Sequence, residues 1–290
     1  MRSCFLLLFL ILFLPGITFS QSTIPFQLLP SGHILVAASI DGVTGRFIFD
    51  TGAGLTVLTK KFFDRLKHTA PIDGGFTAFR ATGERLDVDL YTVRDFKLGN
   101  LHKTVSEISY LDVDLGGADG IISLKLMEQQ PFTIDFDKKV IRLETPQQLA
   151  AIRKAGRIVP LQLEQSHGKA LDMFAYFRVN DTLTLQFSLD SGAGKDVYRI
   201  NSKYLQRLGI DAGDTTLVRK KERKSEINAA FTSSIYFTTV KKIAAAAAPG
   251  INVINVPAQF VDGLIYDGIM WINWLAPRIT IDIPGEQLIL

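Results

Sequence analysis

Two short segments carry side chains that could do chemistry together. Asp50-Thr51-Gly52-Ala53-Gly54 closes the run Phe47-Ile48-Phe49, and Asp190-Ser191-Gly192-Ala193-Gly194 closes Phe187-Ser188-Leu189. At average residue usage, Asp-[Ser/Thr]-Gly-Ala-Gly arises by chance roughly a few times per million positions. Two copies in one chain are therefore not accidental. The glycines permit a sharp turn and close approach of another backbone segment, so each aspartate is expected at a strand end on a tight loop. Two carboxyls held close together in a poorly solvated site cannot both ionise easily, and they share one proton. Such a pair can turn water against an amide. The ionised member takes a proton from the water, the protonated member hydrogen-bonds the carbonyl oxygen, and a proton then passes to the leaving amine.

The elements that must bring the aspartates together are themselves duplicated. The two motifs lie 140 residues apart. Upstream, Ile24-Pro25-Phe26-Gln27-Leu28 is echoed by Val159-Pro160-Leu161-Gln162-Leu163. Downstream, Asp119-Gly120-Ile121 is echoed by Asp267-Gly268-Ile269, and Thr133-Ile134-Asp135-Phe136 by Thr280-Ile281-Asp282-Ile283. Four echoes in one order imply a duplicated unit, too long for a solenoid repeat and long enough to hold its own core.

Each copy reads mainly as short strands separated by turns, the pattern of a barrel or sandwich. Ile34 to Ile40 runs into the hairpin signal Asp41-Gly42 and on to Phe49, and Phe174 to Val179 runs into Asn180-Asp181 and on to Leu189. A short helix is expected after each motif, from Thr59 as N-cap through Leu66 and from Asn201 through Leu208 with Gly209 past its end. Thr145-Pro146-Gln147-Gln148 is a capping box that starts a helix closed by Gly156, and the boundary between copies is placed near residue 150. The expected organisation is a signal peptide over 1–20, one lobe over 21–150 and a second over 151–290.

Together with Asp119-Gly120-Ile121-Ile122 and Asp267-Gly268-Ile269-Met270, the two motifs resemble the aspartic protease superfamily over nearly all of the chain beyond residue 20. The alanine after each Asp-Thr/Ser-Gly is retropepsin-like, the single two-lobed chain is pepsin-like, and the Pro-Phe-x-Leu opening is similar to that of bacterial-type aspartyl proteases. The resemblance implies an all-β fold of two pseudo-symmetric lobes, each a closed β-barrel of the pepsin/retropepsin type with short helices. It implies catalytic roles for Asp50 and Asp190, loop-bracing hydroxyls on Thr51 and Ser191, and close loop contact at Gly52 and Gly192. Ala53 and Ala193 stand where pepsins carry serine. A hydroxyl there would favour the charged carboxyl, so the pair here should protonate more readily and work at a less acidic optimum than pepsin. The segment Gly74 to Glu84 matches the hairpin flap but lacks the tyrosine of pepsins, which leaves Phe76 and Phe79 as the substrate-covering candidates or as ordinary packing. The implied substrate is a peptide or unfolded protein, lying extended in the interlobe cleft of a monomer. The alternatives are a catalytically silent peptide-binding protein of the same fold and a structural module without a cleft.

The remaining residues bound this reading. With 32 basic and 29 acidic side chains, the charge is too balanced to argue for nucleic acid as partner. The one cysteine, Cys4, excludes a disulfide scaffold and a thiolate zinc site. Arg2, the ten apolar residues Phe5 to Leu14 and the small residues Thr18 and Ser20 fit a secretory signal peptide cut near Ser20. Ten helical residues rise about 15 Å, half a bilayer core, so no stable membrane insertion is expected after cleavage. The mature chain is expected to be exported, periplasmic or secreted. His33, His68, His102 and His167 are scattered without a metal-binding spacing, and neither metal nor organic cofactor is expected. Gly192-Ala193-Gly194-Lys195 lacks the first glycine and the Ser/Thr of a phosphate loop. The basic run Arg219 to Lys224 could steer acidic substrates or touch an anionic surface but reads more simply as a solvated hairpin or loop, and Ala244 to Ala248 has no functional reading.

Overall fold

The computed structural model describes residues 22–225 and 230–290. The expected signal peptide, its cleavage site and Cys4 lie outside the described residues. Strand Ile34–Ile40 alternates buried and accessible positions, so one face of each strand packs inward. Asp41 and Gly42 have φ of 53° and 74°, and Asn180 and Asp181 have φ of 51° and 57°. Left-handed pairs of this kind match the twist of the flanking strands, and both hairpins form where the sequence placed them.

Each half closes a ring of six strands. The first runs Ile34–Ile40, Val43–Asp50, Gly120–Ser123, Val57–Thr59, Leu101–Leu111 and Arg85–Leu98, and a Ser39–Lys97 pairing returns it to its start. The second runs Ala170–Val179, Leu183–Asp190, Gly268–Trp271, Tyr198–Asn201, Ala248–Val261 and Thr232–Ala245. It closes where Phe177 to Val179 meet Ile243 to Ala245. The two rings correspond strand for strand. In both, the strand ending in the motif aspartate lies parallel to the Asp-Gly-Ile strand. The aspartates of those segments anchor it: Asp119 accepts the N–H of Arg46 at 2.8 Å, and Asp267 that of Gln186 at 3.4 Å. Ala244 and Ala245 are buried at the ring closure beside the tight turn to Ala248–Val261, where small side chains let the strands approach.

Beneath the rings lies a six-stranded antiparallel sheet that takes three strands from each half. Its order is Ile158–Pro160, Gln287–Ile289, Arg278–Asp282, Phe132–Asp135, Val140–Leu143 and Thr23–Leu28. This order is palindromic, and at its centre the echoed residues Thr133 and Thr280 pair, their hydroxyls 2.7 Å apart. The sequence expectation gave each copy its own core. Instead one cluster of buried apolar side chains continues through both rings and the shared sheet, with Phe49 edge-on to Phe132 at 5.7 Å and Phe177 edge-on to Phe187 at 5.8 Å.

The helices need correction at two places. The first spans only Lys60–Phe63, capped by Thr59 as expected. It does not reach Leu66, because the Asp41 carboxylate takes the N–H groups of Lys67 and His68 at 2.6 and 2.9 Å and draws the chain away. The second is not an α-helix. Ser202–Tyr204 and Gln206–Leu208 are single 3-10 turns, with Asn201 as cap and Gly209 in the left-handed conformation at the end. So short a segment gains little from helical cooperativity, and the Tyr204 hydroxyl is instead tied to Asp267. The capping-box helix Pro146–Ala155 forms as read, with the N–H of Gly156 bonded to Ile152.

Candidate active site

The two motif loops meet at the pseudo-twofold axis and interlock through four hydrogen bonds. Thr51 N donates to Ser191 Oγ at 3.0 Å and Ser191 N to Thr51 Oγ1 at 3.0 Å. Thr51 Oγ1 donates to the Leu189 carbonyl at 2.7 Å and Ser191 Oγ to the Phe49 carbonyl at 2.9 Å. Both hydroxyls are fully buried, so each satisfies backbone groups of the opposite half that water cannot reach. A Cβ on Gly52 would overlap the carboxyl of Asp190, and one on Gly192 would overlap that of Asp50. Only glycine leaves room for the opposing aspartate at these two positions.

This grip places Asp50 and Asp190 side by side, partly exposed on the floor of the cleft, each carboxyl packed against the glycine of the opposite loop. Gly52 N donates to Asp50 Oδ1 at 2.8 Å and Gly192 N to Asp190 Oδ1 at 2.6 Å, which favours the charged forms. Burial works against charge and prevails. It pushes the Asp50 carboxyl above the usual carboxylate range. It pushes Asp190 further, well above that range, with the charge of Asp50 adding to it. Ala193 packs against the small apolar cluster of Ile235, Val261, Leu264 and Ile269. The methyls of Ala53 and Ala193 supply no donor to the pair.

Four neighbours were not singled out from the sequence as site residues. His33 bonds Ser31 Oγ through Nδ1 at 2.7 Å and the Gly192 carbonyl through Nε2 at 3.0 Å. Asp172 lies against the first loop, 3.1 Å from where a Cβ on Gly54 would stand. Burial, then the charges of Glu164 and Asp50, push its carboxyl up to about 6. Tyr266 stacks edge-on against Phe174 at 5.0 Å, and burial raises its hydroxyl above the usual range. Arg199 lies close enough to Asp190 to favour its charge, while burial lowers its own guanidinium. The signal for His33 and Asp172 was present in the repeat, since His33 immediately precedes Ile34–Ile40 and Asp172 lies near the start of Ala170–Val179, the strands that pair with the two aspartate strands.

The aspartates open into a cleft of about 1000 Å³. Phe76 and Phe79 both line it, and Phe79 is 54% exposed, so it is not core packing. They belong to a hairpin, Ala70–Phe79 with Arg85–Leu98, irregular between Ile72 and Phe76. Its tip docks on the second half: the N–H of Ile265 bonds the Ala81 carbonyl at 3.1 Å. Glu84, only 2% exposed, accepts from Arg80 at 3.2 Å and from Ser225 at 2.7 Å. Ser225 follows Arg219–Lys224, which pairs with Thr232–Ala245 as the counterpart of the first hairpin. Of the solvated hairpin or loop expected for the basic run, the structure has the hairpin, an exposed strand, and the sequence did not show that this hairpin meets the tip of the first. Among the described residues no group of three or more His, Cys, Asp or Glu could hold a metal ion, and no helix is long and apolar enough to cross a membrane.

Fold and site together define a two-lobed β-barrel protein with one aspartate from each lobe on a common cleft floor. The family model described as aspartyl protease matches residues 36–126, which contain the first motif, the flap hairpin and Asp119-Gly120-Ile121. Among solved structures, basic 7S globulin from soybean aligns over 93% of this chain and 94% of its own, with a TM-score of 0.51 and 10% identity, and so shares the fold. A protein titled edgp aligns over the same shares with a TM-score of 0.48 and 9% identity. A search of curated proteins finds no match. Residues 36–126 thus match the aspartyl protease family, and the chain as a whole shares the two-lobed β fold of the soybean globulin.

Proposed function

We propose that the protein is an aspartic endopeptidase that hydrolyses peptide bonds with a water activated between Asp50 and Asp190. The observation that carries this reading is the adjacency of the two aspartates, held on a cleft floor by the Thr51–Ser191 interlock. Because burial and mutual charge disfavour double ionisation, the pair tends to retain one proton. The ionised carboxyl accepts a proton from the attacking water. The protonated one donates to the scissile carbonyl, and a proton then passes to the departing amine. The rigid loops keep both oxygens in place without reorganisation during the step. An extended peptide fits the cleft beneath Phe76 and Phe79, with the flap hairpin supplying backbone groups to its main chain. The leader Phe5 to Leu14 supports export to the periplasm or the exterior, where a chain whose only cysteine lies in that leader must rely on its core.

The test is cleavage of an unfolded protein by the folded chain across a pH series, with a statine-type inhibitor as control. Inhibitor-sensitive cleavage away from strong acid supports the reading. Inhibitor binding without cleavage leaves a peptide-binding protein, and neither binding nor cleavage leaves a structural one.

A further inference from the structure

The two halves match at the motif loops and differ one position further out. Ile34 pairs with Phe49, so the same register carried one step on sets His33 opposite Asp50. Phe174 pairs with Ser188, so the same register carried two steps on sets Asp172 opposite Asp190. His33 and Asp172 thus occupy equivalent sites in the two repeats, a group that can become a cation in one and an anion in the other. We propose that His33 and Asp172 are positioning residues that tune the pair unequally: His33 favours the ionised Asp50, and Asp172, once ionised, holds the last shared proton on the pair. The inference deepens the peptidase reading and rests on it.

The His33 ring is built for this task. A carbonyl oxygen can only accept, so Nε2 carries a proton and donates to Gly192. Nδ1 faces the Ser31 hydroxyl, which can donate to a neutral ring or accept from a charged one. The ring can therefore gain a proton without losing either bond. Its anchor, Gly192, is the residue whose missing Cβ leaves room for Asp50. A positive ring there lowers the energy of the Asp50 carboxylate, and its charge acts on Asp50 in that sense.

Asp172 acts in the opposite direction. It lies against Gly54 in the same cleft and interacts with the charge of Asp50. Once ionised it opposes a second negative charge on the pair, so the last proton is held to higher pH. The other groups facing the pair are Arg199, from Tyr198–Asn201, and Tyr266, from the loop before Gly268–Trp271, while Glu164 faces Asp172. Tyr266 is neutral and adds no charge. Arg199 favours charge on Asp190, yet burial and the charge of Asp50 outweigh it. His33 and Asp172 together widen the pH interval in which the pair holds one proton.

The test follows the two macroscopic ionisations of the pair by carboxyl 13C NMR in the folded full chain, with cleavage of an unfolded protein measured alongside. D50N and D190N identify the signals. In H33Q the lower ionisation should move up by roughly one pH unit, and the acid limb of cleavage with it. In D172N the upper ionisation should move down by about the same amount, and the basic limb with it. Loss of rate or stability with both ionisations in place would mean a merely structural role and overturns the proposal, as would shifts of opposite sign. If H33Q does not fold, D172N decides alone. Ionisations that shift without any cleavage support the unequal tuning and remove the peptidase reading. Cleavage with unmoved ionisations does the reverse.

Discussion

The first and second halves agree bond for bond at the loop junction and part company around it. Thr51 and Ser191 exchange equivalent hydrogen bonds, and Gly52 and Gly192 make room for equivalent carboxyls. Around them, His33 stands where the other half has Asp172. One hairpin roofs the cleft with Phe76 and Phe79, while its counterpart offers the exposed strand Arg219–Lys224. On the proposed peptidase reading, the difference separates the features that two-carboxyl chemistry would require twice from those it would need once. The interlock must be symmetric because both aspartates are positioned by it. On the same reading the surroundings could diverge, because one proton and one bound peptide would have a direction.

The sharpest way to break the inner symmetry is to fill the glycine positions. Gly52→Ala and Gly192→Ala should each separate the loops, abolish cleavage and lower stability by about 3 kcal/mol, at the upper end for overpacking. A pair of unequal effects in urea unfolding would show that the halves do not share the junction evenly. Thr51→Ala and Ser191→Ala come next. Each removes a buried hydroxyl with two bonds and orphans a backbone N–H, for a loss of about 2 kcal/mol that should be equal in the two variants.

The outer asymmetry can be sharpened through Asp172. Its folded-state pKa, about 6, lies above that of an unfolded aspartate. The folded form therefore binds the proton more tightly, and Asp172 destabilises progressively as pH rises from the unfolded toward the folded value. Asp172→Asn should raise stability near neutral pH by about 1–2 kcal/mol, discounted for partial exposure, with the gain vanishing in acid. A gain that persists in acid would assign the effect to packing. At the flap, Glu84→Ala removes the carboxylate that Arg80 and Ser225 contact, and should weaken docking of the tip by about 1 kcal/mol. Hydrogen exchange at residues 80–84 reads it. The smallest effect is expected from Ala53→Ser and Ala193→Ser, whose added donors should move the pH optimum toward acid by less than about one unit.

Much of this was legible because duplication writes the pattern twice. The two motifs, the hairpins at Asp41-Gly42 and Asn180-Asp181, the capping box at Thr145 and the Asp-Gly-Ile strands all rest on local chemistry, and the structure contains each of them. The helix ends at Phe63 and the 3-10 turns at Ser202–Leu208 were not legible, because distant Asp41 and Asp267 decide them. The shared sheet was hidden for the same reason. Thr133 and Thr280 were visible as echoes, but not as partners. His33 and Asp172 could have been found by extending the repeat alignment back across each hairpin, since strand register rather than residue similarity relates them.

The most direct test of the paired-carboxyl claim compares the wild-type chain with Asp50→Asn and Asp190→Asn on one unfolded substrate at the pH optimum, each variant first shown to be folded. Each substitution alone should lower the cleavage rate on the order of 10³-fold, because one carboxyl cannot both take and give the proton. Cleavage that survives in either folded variant at near the wild-type rate would contradict it.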